Sequence, residues 1–187
     1  MLSATIKEAT KKPHQEVEKK VVLRIKSIRN EADYADLLKH FYAYFNAVEN
    51  IITPYITTQI LPDTAERRNS SYIKNDIETL GYTIDDLPNA VAPEVTNLAQ
   101  AMGALYVLEG SIMGGPYIVK MLQKVGLNNG FSFFSGYGES SGSKWAAFTS
   151  VLNTIAKNEE EESEVLQAAN QTFARFGDVF GEVTVTG

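Results

Sequence analysis

Tyr106-Val107-Leu108-Glu109-Gly110-Ser111-Ile112-Met113-Gly114-Gly115-Pro116 breaks a long helical pattern with three glycines and a proline. Interior glycine costs a helix about 1 kcal/mol relative to alanine, and interior proline about 3. Gly110 and Gly114 lie one turn apart on one face, where the missing Cβ atoms let a flat body approach the backbone. Pro116 removes one i→i−4 bond and allows a bend. Two interpretations fit this stretch equally: a kinked helix lying across a planar ligand, or tight helix packing through small residues.

Outward from it, nearly every segment has helical spacing, with Pro, Gly and Asn at the breaks, so the expected class is all-α. Ser3 is the expected cap of a first helix that runs, interrupted at Pro13, to about Arg29, with Ile6, Val17, Val21 and Ile25 inward. Asn30 should cap a second helix through Tyr34, Leu37, Leu38, Phe41, Tyr42, Phe45, Val48 and Ile52, ending near Pro54. Ser70 or Ser71 opens a third, stopped by Gly81, and residues 82–92 connect it to a long helix predicted to start at Pro93 and end before Gly126. Gly136-Tyr137-Gly138 with Gly142 has no βαβ context, so it reads as a surface turn and not as a dinucleotide loop. Two further helices are predicted over residues 143–156 and 161–180, the latter capped by the acidic run Glu159 to Glu162. One domain over residues 1–180 and a flexible tail over 181–187 are expected.

Composition narrows the function. The 187 residues are 44% hydrophobic and 21% charged, with no apolar run of the ~20 residues a membrane span needs. Nothing at the N-terminus resembles an export signal, so cytoplasmic residence is expected. The absence of cysteine rules out disulfides, thiolate metal sites and a cysteine nucleophile, leaving His14 and His40 as the nitrogen ligands. A net charge of −6 argues against general nucleic-acid binding. Eight Lys and Arg against three Glu nevertheless make residues 1–30 basic, a face suited to an acidic partner or to ligand carboxylates. Hydrophobic positions fall on single faces, and a monomer is expected.

His14 has Glu18 one turn further on, where a carboxylate could take the proton of one ring nitrogen and leave the other as a metal ligand. Lys7 lies two turns earlier, placed to meet a carboxylate at the edge of a ligand centred on His14. His40 sits mid-helix without such neighbours and reads as structural or exposed.

Lys7-Glu8-Ala9-Thr10-Lys11-Lys12-Pro13-His14 with Glu18 resembles the proximal helix of heme oxygenases, and the glycine helix resembles their distal helix. Leu105 to Ser111 followed by Gly114-Gly115 is similar to bacterial members associated with bilin production, as is Tyr137-Gly138 followed by Trp145 and Phe148. The resemblance covers essentially the whole chain. It implies a multi-helix bundle with heme between a proximal N-terminal helix and a kinked glycine-rich distal helix. His14 would ligate the iron with Glu18 orienting it, and Lys7, Tyr106 and Lys144 would contact heme propionates. Gly110, Gly114 and Gly115 would form the distal wall that directs oxygen to one edge of the ring, and a water chain could run through the Ser111 hydroxyl. The implied reaction uses O2 and electrons to open heme to biliverdin, carbon monoxide and ferrous iron, heme being both cofactor and substrate. Mammalian members carry aspartate where this chain has Ser111, so a heme-binding or heme-delivery protein without turnover stays open beside the enzyme. No nucleotide site is visible, which calls for a separate donor, a ferredoxin or flavoprotein reductase.

Overall fold

A computed structural model describes residues 1–181, which form seven α-helices joined by turns and two short 3-10 segments. They are α1 (Leu2–Ala9), α2 (Lys11–Ser27), α3 (Glu31–Ile52), α4 (Ser70–Thr79), α5 (Leu98–Lys124), α6 (Ser141–Ile155) and α7 (Glu159–Val179). The predicted tail lies outside the described residues apart from Gly181. Among the described residues no helix is long and apolar enough to cross a membrane.

The N-terminal break falls at Thr10, three residues before its expected place. A proline ring collides with the carbonyl four residues earlier, here Ala9, so α1 ends there. Pro13 then sits in the first turn of α2, where its missing N–H would be unsatisfied anyway. The Thr10 hydroxyl donates to the Ile6 carbonyl at 2.7 Å and the His14 amide donates to the Thr10 carbonyl at 3.0 Å, fixing the joint.

Asparagine side chains start four of the helices. Asn30, Asn69, Asn97 and Asn158 each accept from an amide in the first turn of α3, α4, α5 and α7. This corrects two expectations. The long helix begins at Leu98 instead of Pro93, because Asn97 accepts from the Gln100 amide at 2.9 Å and residues 93–97 stay outside the helix. Asn158 caps α7, while the glutamates after it fill its first turn.

α5 packs along α7 and also meets α2, α3 and α6, while α7 packs on α1, α2 and α3 as well. Close approach of α5 to α7 depends on Gly103, where a Cβ would overlap the Val165 carbonyl oxygen. The core is aromatic: Phe41 meets Phe134 and Phe176 edge-on at 5.1 Å, and Tyr44 stacks on Phe176 at 5.0 Å. Each such ring contributes roughly 1.5–3 kcal/mol by leaving water. Phe133 and Phe134 are buried too, so the segment before Gly136 is part of the core, while Gly136 and Tyr137 lie in a turn that leads to the exposed Gly138. The core segment is tied down by the Asp76 carboxylate on α4, which accepts from the Ser132 amide (3.0 Å), the Ser132 hydroxyl (2.6 Å) and the Phe133 amide (2.9 Å).

Candidate functional site

His14 is exposed on α2, its ring edge-on to Phe173 of α7 at 5.4 Å. Among the described residues neither ring nitrogen has a hydrogen-bond partner, so both are available to an incoming ligand. Glu18 is exposed on the same helix without bonding the ring, so the expected orienting bond is absent here. Lys7 is exposed on α1 and enters no ion pair among the described residues.

α5 packs against α2 and carries Tyr106, which is buried and whose phenol feels Thr10, four residues before His14. Burial raises the Tyr106 phenol pKa and the Thr10 contact opposes this. The Tyr106 ring lies 5.6 Å from Trp145 of α6, and a Cβ on Gly110 would meet Trp145 at an ordinary 3.7 Å. One turn on, a Cβ on Gly114 would meet nothing within 4 Å. Met113 and Tyr117 flank it, 51% and 71% exposed, an unusual display of apolar surface on a helix whose other large side chains are mostly covered. An open apolar face on α5 and a free imidazole on α2, a helix that α5 packs against, suit a flat apolar macrocycle that carries a metal and acidic edges.

Gly115 does not belong to that face. A Cβ there would overlap the Phe134 carbonyl oxygen, so this glycine serves contact with the Phe133-Phe134 segment and is removed from the expected distal wall. Lys144 is likewise diverted: its ammonium donates to Asp63 at 2.8 Å, which leaves the expected propionate contact without support.

Behind α5 lies a buried polar cluster that sequence inspection did not single out. Arg67 donates to Asp63 (2.8 Å), Glu109 (2.7 Å) and the Lys144 carbonyl (3.1 Å). The Tyr137 hydroxyl accepts from the Arg68 amide at 3.0 Å and donates to Glu109 at 3.4 Å. Arg68 lies flat over Phe133, 3.9 Å from the ring centroid, and donates to the Phe133 carbonyl (2.7 Å) and the Ser111 hydroxyl oxygen (2.5 Å). The single proton of Ser111 goes to the Leu108 carbonyl at 2.6 Å. Burial raises the Glu109 pKa against the opposing pull of Arg67, and burial also raises Glu49, which accepts from the amide and hydroxyl of Ser70. Burial works upward on Asp63 as well, but hydrogen bonds from Lys144 and Arg67 prevail and hold it below the usual carboxylate value. Glu49, Arg67, Arg68 and Glu109 line a cavity of about 340 Å³ whose other walls include Phe45 and Leu108. The one sequence signal for this cluster was the Arg67-Arg68 pair, and adjacent arginines in a loop ordinarily point to solvent.

His40, expected to be structural or exposed, is buried and structural. Its Nδ1 donates to the Asp36 carbonyl at 2.7 Å, and its Nε2 accepts from Arg24 at 2.9 Å.

A family model described as Heme oxygenase matches residues 1–182. Heme oxygenase PigA of Pseudomonas aeruginosa is 27% identical over 173 residues, covering 91% of this chain and 86% of that protein. A heme oxygenase of Xanthomonas campestris is 27% identical over 145 residues, covering 76% and 86%. Among solved structures, the NO- and CO-bound heme oxygenase of Neisseria meningitidis superposes with a TM-score of 0.82 at 22% identity, covering 100% of this chain and 95% of that one. Heme oxygenase 2 of Chlamydomonas reinhardtii, solved without heme, gives 0.76 at 17%, covering 99% of each.

Proposed function

The chain belongs to the heme oxygenase family, and on that premise we propose that it cleaves heme with O2 and reducing equivalents to biliverdin, carbon monoxide and ferrous iron. The observations that carry this reading are the exposed, unpartnered imidazole of His14 on α2 and the open Gly114 face of α5, a helix that packs against α2. Bound heme supplies the redox-active iron and is itself the substrate. His14 would hold the iron through one ring nitrogen, and Glu18, one turn on, would accept the proton of the other after a side-chain rotation. Lys7 and Tyr106 meet the carboxylates at the macrocycle edge. Gly110 and Gly114 give α5 a bare backbone that a bound ring could approach closely and that would limit which edge is open to oxygen. Trp145, against Tyr106, and Phe173, against His14, would add apolar surface on which the macrocycle could rest.

Electrons come from a separate protein, a ferredoxin or flavoprotein reductase, which we place against the basic face of α2 that exposes Lys11, Lys12 and Lys19. A second reading, a heme carrier without turnover, is favoured by one observation: the Ser111 hydroxyl spends its proton on Leu108 and offers none to the open face.

Hemin titration followed by reduction under oxygen tests both. A Soret band that forms and then gives way to bilin absorbance with trapped carbon monoxide is expected. A band that persists means a carrier, and an unchanged hemin spectrum refutes heme binding altogether.

A further inference from the structure

Arg68 is a buried guanidinium with no carboxylate within 4 Å among the described residues. Glu109 and Glu49 act on it only through space, because Glu109 bonds Arg67 and Glu49 bonds the neutral Ser70. Burial pushes its pKa down to about 10, so it is cationic at neutral pH. A charge buried in this way is little screened by salt and acts over a longer range than a surface lysine. Arg68 touches α5 at one polar side chain, the hydroxyl of Ser111, which sits between Gly110 and the open turn at Gly114. Because that hydroxyl donates to Leu108, it meets the guanidinium only as an acceptor and cannot turn its proton towards the open face. An aspartate at this position would form a contact ion pair with Arg68 and cancel its charge; serine holds the guanidinium and leaves the charge standing.

We propose that Arg68 is a positioning residue that acts through Ser111, fixing this turn of α5 from behind and giving its open face a standing positive potential that favours anionic over neutral ligands. The inference rests on the heme reading above, since the ligands in question are those brought against residues 110–114 by a bound macrocycle. It also accounts for Ser111 in physical terms, because serine makes this face cationic where a carboxylate would make it neutral.

The test uses the hemin complex of the full chain and compares azide, an anion, with imidazole, a neutral ligand, each titrated spectroscopically into the ferric form. Loss of a unit charge near a partly buried site changes anion affinity about tenfold. In Arg68→Gln and in Ser111→Asp the azide Kd should therefore rise about tenfold while the imidazole Kd moves less than about twofold. Arg68→Lys keeps the charge and should stay within about threefold of the parent for azide. Azide and imidazole weakening together would mean that Arg68 merely holds the fold, and unchanged azide affinity in Ser111→Asp would remove the electrostatic role; either result overturns the proposal. A parent chain that leaves the Soret region of hemin untouched overturns the heme reading itself, an outcome distinct from both.

Discussion

Gly114 and Gly115 are neighbours with opposite surroundings, so the same methyl group added to each should have opposite effects on the ligand-free protein. At Gly115 the new Cβ runs into the Phe134 carbonyl oxygen, a backbone atom held in place because Asp76 ties the residues just before it. Overpacking of this kind costs about 1–3 kcal/mol, and the upper end applies where no side chain can rotate away. Alanine regains about 1 kcal/mol of helix propensity, leaving a net loss of about 2 kcal/mol. At Gly114 nothing lies within 4 Å, so the full propensity gain of about 1 kcal/mol remains. For a chain of this size 1 kcal/mol moves Tm by about 2–4 °C, so Gly115→Ala should melt about 4–8 °C lower and Gly114→Ala about 2–4 °C higher. Scanning calorimetry on heme-free protein reads both. Hemin titration of Gly114→Ala should then show weaker binding, since its methyl group occupies the open face. A neutral or stabilising Gly115→Ala, or a destabilising Gly114→Ala, would refute the assignment of the two glycines to opposite sides of α5.

Replacing His14 by Ala should leave the melting temperature within about 2 °C of the parent, because the ring is exposed and unbonded. The same variant should shift the Soret band of the hemin complex, with added imidazole restoring it; an unshifted band would acquit His14 as the ligand. Reversing Lys11, Lys12 and Lys19 to Glu should slow donor-driven turnover and abolish its salt dependence while ascorbate-driven turnover persists, and equal loss with both reductants would exclude a docking role. Glu49 gives a pH test. Burial raises its folded-state pKa above the unfolded value, so the native state holds that proton more tightly and stability falls as pH climbs through the raised pKa. Urea unfolding at pH 4 and pH 7 should show the parent losing more stability than Glu49→Gln over that interval. A difference that stays constant or reverses would remove burial as the controlling influence on Glu49.

Local chemistry was legible where a residue acts on its own neighbours. Asn30 as the cap of α3, Gly81 and Gly126 in left-handed backbone after α4 and α5, and the inward stripe of α3 follow from short-range rules. The start of α5 was misplaced because Pro93 and the periodic Val95 mimic a helix entry, while a side-chain acceptor at Asn97 prevails. Gly110 and Gly114 belong to one face by spacing alone, yet nothing near Gly115 in sequence says that Phe134 lies against it. The same holds for Arg67, whose partner Glu109 is 42 positions away. Ionic groups go inside only where distant partners meet them, and no local window reports that meeting. Lys144 is a further case: its partner Asp63 lies 81 positions away, outside any local window.

α7 touches both sides of the proposed cleft along a single rod. Val165 takes the close approach of Gly103 from α5, and Phe173 takes the edge of His14 from α2. Eight residues separate these two footholds, about 12 Å along the axis. The spacing of the jaws is therefore gauged by helical pitch and not by the length of any connecting loop. Inserting one residue between the footholds would swing one jaw by about 100° relative to the other, whereas trimming Phe173 adjusts the opening in fine increments.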